Sequence, residues 1–210
     1  ILAVDSRCSK LFGSYSVRKD DLAVERLAAC RRPAGRAIGY QRWSGLLFAH
    51  WRVPVELLRP LIPRELEIDT FQQEAWLGLV PFHMSGGRPA YRPALPFVSE
   101  FHETNIRTYV HFKGRDPGVW FLSRDAACRL AVEVARWKWH LPYFYAEMDL
   151  RREGDEVRYS SRRIDSRSPR RADVDITARI GESLNPEQGV SVEPGTLEHF
   201  LTERYVLYTN

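Results

Sequence analysis

Between Glu100 and Lys113 the side chains alternate with a period of two, and from Glu103 onward one of the two resulting faces is polar at every position. Ile106, Thr108, Val110 and Phe112 point one way, while Glu103, Asn105, Arg107, Tyr109 and His111 point the other. A surface strand usually shows a loose mixture of small polar groups and charges. Here an acid, an amide, a guanidinium, a phenol and an imidazole follow one another, which suits a strand that packs on one side and lines a polar interior on the other. Glu103 and Arg107 are four residues apart, about 13 Å along a strand, so they do not form a local ion pair. Each needs a partner on another strand or on a ligand. Two readings stay open. In the structural one, both charges are neutralised across the sheet. In the functional one, Arg107 grips a carboxylate through its planar fork, Glu103 serves as general acid or base, and Asn105 and Tyr109 orient the ligand.

The surrounding sequence predicts a mainly β (α+β) domain over residues 41–210, preceded by an extension, 1–40. In the extension, 1–19 is Ser-rich and expected to dock loosely, and an amphipathic helix is expected over 22–31. Strands are predicted at 46–51, 66–69, 74–84 (interrupted by Pro81), 101–113, 119–123, 173–180 and from 206. A loop is predicted over 85–96. Residues 143–152 and 156–163 form a hairpin about Gly154-Asp155. Helices are expected at 54–61, at 126–139 before Pro142, and from the Thr196 cap to Arg204. Tyr143, Tyr145, Glu147 and Asp149 make a second polar row, either facing the first across a cavity or forming a solvated outer face.

Composition removes several classes of function. The net charge of +4 comes almost wholly from arginine, with lysine only at 10, 19, 113 and 138. That balance favours anionic ligands without marking a nucleic-acid binder. The Arg-rich stretch 158–171 lacks the interleaved aromatics of single-strand binders, so nucleic acid is a third and weaker reading there. Cys8, Cys30 and Cys128 form no CxxC pair, which speaks against a disulfide framework or zinc site and for a reducing cytoplasm. The six histidines show no ligand spacing, so no metal is expected. There is no nucleophile elbow, no phosphate-binding glycine loop and no apolar run long enough to span a membrane. No cofactor is implied.

Several blocks occur in a telling order: Leu47-Phe48-Ala49-His50-Trp51 with Pro54 and Leu61-Ile62-Pro63; Val80-Pro81-Phe82; and Phe101-His-Glu-Thr-Asn-Ile-Arg-Thr-Tyr-Val110. Gly118-Val119-Trp120-Phe121 follows, then Ala135-Arg136 with Leu141-Pro142-Tyr143, and finally Leu201-Thr202-Glu203-Arg204-Tyr205. Together they resemble the DUF2071 (YqjF-like) family of bacterial proteins. The resemblance implies an acetoacetate-decarboxylase-like fold, an antiparallel β-barrel or cone with a few helices around a pocket. Decarboxylases of that superfamily carry a Pro-Lys-Lys segment whose lysine forms a Schiff base. Laid on this chain it falls on Pro142-Tyr143-Phe144, so the resemblance does not imply imine decarboxylation. Glu103 falls at or near an acidic pocket position. The family's strands beyond the Leu-Thr-Glu-Arg-Tyr motif are missing, so the domain is expected to be truncated at its C-terminal end. An edge left open in that way is expected to pair with a second copy as a homodimer.

The sequence therefore predicts a pocket for a small organic acid or carbonyl compound, with Arg107 as anchor and Asn105, Tyr109 and Tyr143 around it. Glu103 is the candidate acid/base of an enzyme; the alternative is a module that binds without catalysis.

Overall fold

The alternating stretch is strand β6 (Phe101–Phe112), and it lies inside a sheet with neighbours on both sides. The computed structural model describes residues 2–4, 26–30, 36–37, 39–91, 93, 99–182 and 192–209. Around β6 run β1 (Leu2–Val4), β2 (Gly39–Ser44), β3 (Ala49–Val53), β4 (Glu67–Ile68) and β5 (Ala75–Pro89). After it come β7 (Arg115–Ala126), β8 (Tyr143–Glu153), β9 (Glu156–Arg163), β10 (Asp173–Arg179) and β11 (Val206–Tyr208). The main order is β10-β9-β8-β7-β6-β5-β2, with β3 also on β5, β4 on β6, β11 on β7 and β1 on β11. Most pairs are antiparallel, but β8 and β11 both run parallel to β7. The fold is mostly β with a few helices, as expected. Among the described residues the large mixed sheet does not close into a barrel.

Local chemistry explains the connections. Lys113 and Gly114 both take left-handed φ values, 51° and 79°. They make the two-residue turn that matches strand twist and joins β6 to β7. Pro81, expected to interrupt its strand, lies within continuous β5. Its carbonyl accepts from Leu47 N, so its missing N–H faces that same side. On that side the pairing of β5 with β3 stops at Leu79 and its pairing with β2 starts at His83, so no ladder bond is required of Pro81. The predicted loop from residue 85 is partly strand as well, because β2 pairs with β5 as far as Pro89; residues 92 and 94–98 lie outside the described ones.

From β7 the chain crosses over through the helix Arg129–Trp139 into parallel β8. The helix buries Val132 and Ala135 against Trp76, Tyr109, Phe121 and Tyr143. His140 ends it in a left-handed conformation, φ 52°, just before Pro142. A second helix, Leu197–Thr202, is capped by the Thr196 hydroxyl, which accepts from His199 N at 3.2 Å. It brings Phe200 and Leu201 onto the same core. No helix among the described residues is long and apolar enough to cross a membrane.

Of the helix expected over 22–31, residues 26–28 are helical and 22–25 and 31 lie outside the described residues, as do 5–19 of the Ser-rich start. Leu2–Val4 pairs as a strand with β11. Arg26 binds both oxygens of Asp69 at 2.8 and 2.7 Å, and Arg204 reaches Asp69 at 2.8 Å. One buried carboxylate thus ties the N-terminal segment, β4's end and the terminal helix together.

Gly118 tests the attachment of β11. A Cβ there would stand 2.5 Å from the Val206 carbonyl oxygen and 2.8 Å from the Tyr208 ring. Gly118→Ala is expected to destabilise by about 1–3 kcal/mol in urea unfolding through overpacking, outweighing the usual gain of about 0.4–1 kcal/mol. A neutral result would mean that β11 does not lie against this glycine.

Candidate functional site

The polar face of β6 divides into two clusters. In the first, strand register sets His50, Gly78 and Arg107 in one row across β3, β5 and β6. Gly78 makes room for the row: a Cβ there would lie 2.9 Å from His50 Nε2. Tyr109 Oη donates to the Leu201 carbonyl at 2.8 Å, and Arg107 Nη2 donates to the same oxygen at 3.0 Å. His50 Nε2 is 2.7 Å from Tyr109 Oη.

Arg107 is 6% exposed, and among the described residues no carboxylate pairs with it. Its Nε is buried without any hydrogen-bond partner. Its guanidinium carbon lies 5.3 Å from the Phe48 ring centre and 5.6 Å from that of Tyr109. Burial, and then the Arg107 charge, push His50 down from 6.5 to about 4, against a backbone hydrogen bond with Phe48. The imidazole is therefore neutral at physiological pH. Burial raises the Tyr109 hydroxyl, with the nearby arginines opposing.

The second cluster surrounds Glu103, which is wholly buried. Arg124 Nε donates to Glu103 Oε1 and to Asn105 Oδ1, each at 3.0 Å, and Nη2 returns to Glu103 Oε1. Tyr143 Oη donates to Glu103 Oε2 at 2.9 Å. The Arg124 guanidinium is sandwiched between the rings of Phe121 and Tyr143, 4.2 and 4.4 Å from their centres. Burial works against the Arg124 charge, but Glu103 and Tyr143 outweigh it and its pKa is raised. Burial, helped by Glu103, lifts Tyr143 well above the ordinary phenol range, so it stays a proton donor.

The predicted residues Glu103, Asn105 and Tyr143 thus meet in one cluster, and Arg107 and Tyr109 in the other. Arg124, His50 and the Leu201 carbonyl were not anticipated. Arg124 lies just past the strand predicted at 119–123, which in fact runs to Ala126, and a bulge at Leu122 shifts the register besides: Ile106 faces Ser123 but Arg107 faces Phe121. Phe121 and Arg124 consequently share a face although they are three positions apart. Glu147 and Asp149 are exposed, the solvated alternative for the second row. In the Arg-rich stretch, Arg163 pairs with Asp125, Arg158 with Glu156, and Arg167 with both Glu133 and Asp165. Two surface clefts, of about 330 and 380 Å³, border Arg163–Arg171 and the Leu61–Trp120–Tyr208 region; neither is lined by Glu103 or Arg107. Among the described residues no three His, Cys, Asp or Glu side chains gather to hold a metal.

Residues 40–210 match the DUF2071 family, "Uncharacterized conserved protein". "Uncharacterized protein YqjF" of Bacillus subtilis (strain 168) is 42% identical over 178 residues, which cover 84% of this chain and 69% of that protein. Among solved structures, acetoacetate decarboxylase from Legionella pneumophila is 16% identical with a TM-score of 0.47, covering 71% of this chain and 56% of that one. The enduracididine biosynthesis enzyme MppR complexed with pyruvate is 13% identical with a TM-score of 0.49, covering 73% and 62%. The chain thus spans between half and two thirds of the length of these solved relatives.

Two measurements test the clusters. Glu103→Gln leaves the Arg124 charge buried and unmatched, and is expected to cost about 3–5 kcal/mol in urea unfolding. Glu103→Leu combined with Arg124→Met should recover most of that loss; additive losses would mean that the two charges are not coupled. For His50, a pKa lower in the folded than in the unfolded chain means fewer bound protons when folded. Its contribution is full above about pH 6.5 and is lost as pH falls toward about 4. The urea midpoint should drop between about pH 7 and pH 5, and His50→Gln should shrink that drop; an identical drop in the variant would place the effect elsewhere.

Proposed function

We propose that this chain, which belongs to the DUF2071 family, binds a small organic acid or carbonyl compound on the polar face of β6, with Arg107 as its anchor. One observation carries the reading: Arg107 is buried, lacks a carboxylate partner among the described residues, and keeps its Nε unbonded. A buried cation without a counter-ion is costly, and a ligand carboxylate supplies the missing charge through a two-point contact that only a guanidinium can make. His50, neutral and half-buried, adds no competing charge. Phe48, 37% exposed and close to the guanidinium, marks the side from which a ligand enters.

In this reading Asn105, whose Oδ1 is taken by Arg124, offers its amide N–H to the ligand, while Tyr109 and Tyr143, whose protons go to Leu201 and Glu103, hold the two ends of the polar face in place. Glu103 is the acid/base candidate, its proton path running through the Tyr143 hydroxyl. Chemistry at this site is then proton transfer beside a carbonyl, since its described residues include no lysine for an imine. The free thiols of Cys30 and Cys128 fit a reducing, cytoplasmic setting.

A thermal-shift screen of small carboxylates, keto acids and carbonyl compounds on wild type and Arg107→Lys tests the reading. Ligand at a hundred times its dissociation constant adds about 2.7 kcal/mol, a rise of several degrees. The rise is expected in wild type and lost in the variant, which keeps the charge but not the fork. No shift with any carboxylate, or an equal shift in both proteins, would sink it. With a ligand in hand, Glu103→Gln, assayed where it is still folded and still binds that ligand, separates the two forms of the proposal: turnover is abolished if Glu103 is the acid/base, whereas a pure binder forms no product in either protein.

A further inference from the structure

On the opposite face of β6, pairing with β5 sets His83 directly across from His102. Two hydrogen bonds fix what kind of pair this is. The Pro81 carbonyl accepts from Leu47 N at 3.1 Å and the His102 carbonyl from Ala127 N at 3.0 Å, so both point away from the β5–β6 seam. Pairs along an antiparallel ladder alternate, and both observations make His83/His102 a non-hydrogen-bonded pair, the class whose side chains stand closest, with Cα atoms about 4.5 Å apart. The imidazole centres are 4.9 Å apart with the planes at 59°.

The ring nitrogens are used unequally. Glu100 Oε1 lies 3.4 Å from His83 Nε2, where a carboxylate favours the proton and leaves the lone pair on Nδ1. Nδ1 of His83 and Nδ1 of His102 are both buried and have no hydrogen-bond partner. Two bare imidazole nitrogens on facing residues are a costly arrangement for a pair with no further role.

We propose that His83 and His102 supply two ligands of a site for a divalent transition-metal ion that prefers imidazole, such as Zn²⁺ or Cu²⁺. With both Nδ1 lone pairs aimed at one ion, metal–nitrogen bonds of about 2.0–2.1 Å to rings at this separation close an angle of roughly 100°, between the square-planar and tetrahedral values. Glu100 is the outer carboxylate that orients His83. With no third protein ligand gathered among the described residues, water completes the coordination, and the site binds by exchange rather than as a permanent structural metal. Both Nδ1 atoms are shielded from water, so the ion enters as the His83 ring, whose side chain is 25% exposed, turns its Nδ1 outward.

The test uses the untagged chain, titrated with Zn²⁺ by calorimetry and loaded with Cu²⁺ for electron paramagnetic resonance. One ion per chain at micromolar affinity is expected, with the hyperfine pattern of two equatorial nitrogens. His83→Gln and His102→Gln should each weaken binding tenfold or more, and Glu100→Gln about tenfold, whereas His111→Gln and His140→Gln should change nothing. Absence of binding at millimolar metal, or binding undiminished in the double variant, would overturn the site. Should the histidine variants not fold, the nitrogen count in wild type decides: two nitrogens support the site, and one or none overturns it.

Discussion

A carboxylate removed entirely from water has to be matched where it stands, and the matching of Glu103 governs how three strands meet. Arg124 answers it from β7 and Tyr143 from the first residue of β8. For Arg124 to reach the same face as Glu103, β7 must bulge at Leu122. For Tyr143 to arrive, the crossover helix must stop at His140 and release the chain into a parallel strand. In a low-dielectric interior the attraction within such a pair is strong, and so is the penalty for misplacing either member. Register, bulge and helix length are all held by one charge and its two partners.

Arg107, four residues along the same strand, has been treated differently. Its oxygen contacts are the Leu201 carbonyl and the Tyr109 hydroxyl, neither of which carries charge. The two ends of one polar face are thus one internally balanced cluster and one cluster with positive charge to spare. The balanced end fixes geometry; the unbalanced end is where a negatively charged molecule has something to gain. Phe48 and Tyr109, which flank the guanidinium, lower the cost of holding it there without cancelling its charge.

Much of this was legible in the sequence where chemistry is local. The Thr196 cap, the Gly154-Asp155 hairpin, the helix ending before Pro142 and the polar face of β6 all follow from short-range rules. What stayed hidden depends on neighbours. Pro81 reads as a break until the gap between β3 and β2 shows that its missing N–H is not needed. Arg124 falls one residue past the predicted strand end, and the bulge takes it out of strict alternation with Phe121 as well. His50 reads as an apolar-strand histidine, and only the register through Gly78 places it beside Arg107. The facing of His83 and His102 is likewise a matter of register, which a single strand does not encode.

The attachment of β11 has a consequence for the order in which the molecule comes together. β6 and β7 are joined by a two-residue turn and pair almost as soon as both exist, whereas Val206 meets Gly118 across about ninety residues of chain. Closing so long a loop is slow, and the hairpin-linked strands must stand with one flank of β7 uncovered until it happens. The same late arrival carries Leu201 to Arg107 and Tyr109. The oxygen that completes the arginine's surroundings is therefore supplied by a segment about ninety residues away in the chain, so that the sheet is built from near neighbours and the site from a distant one.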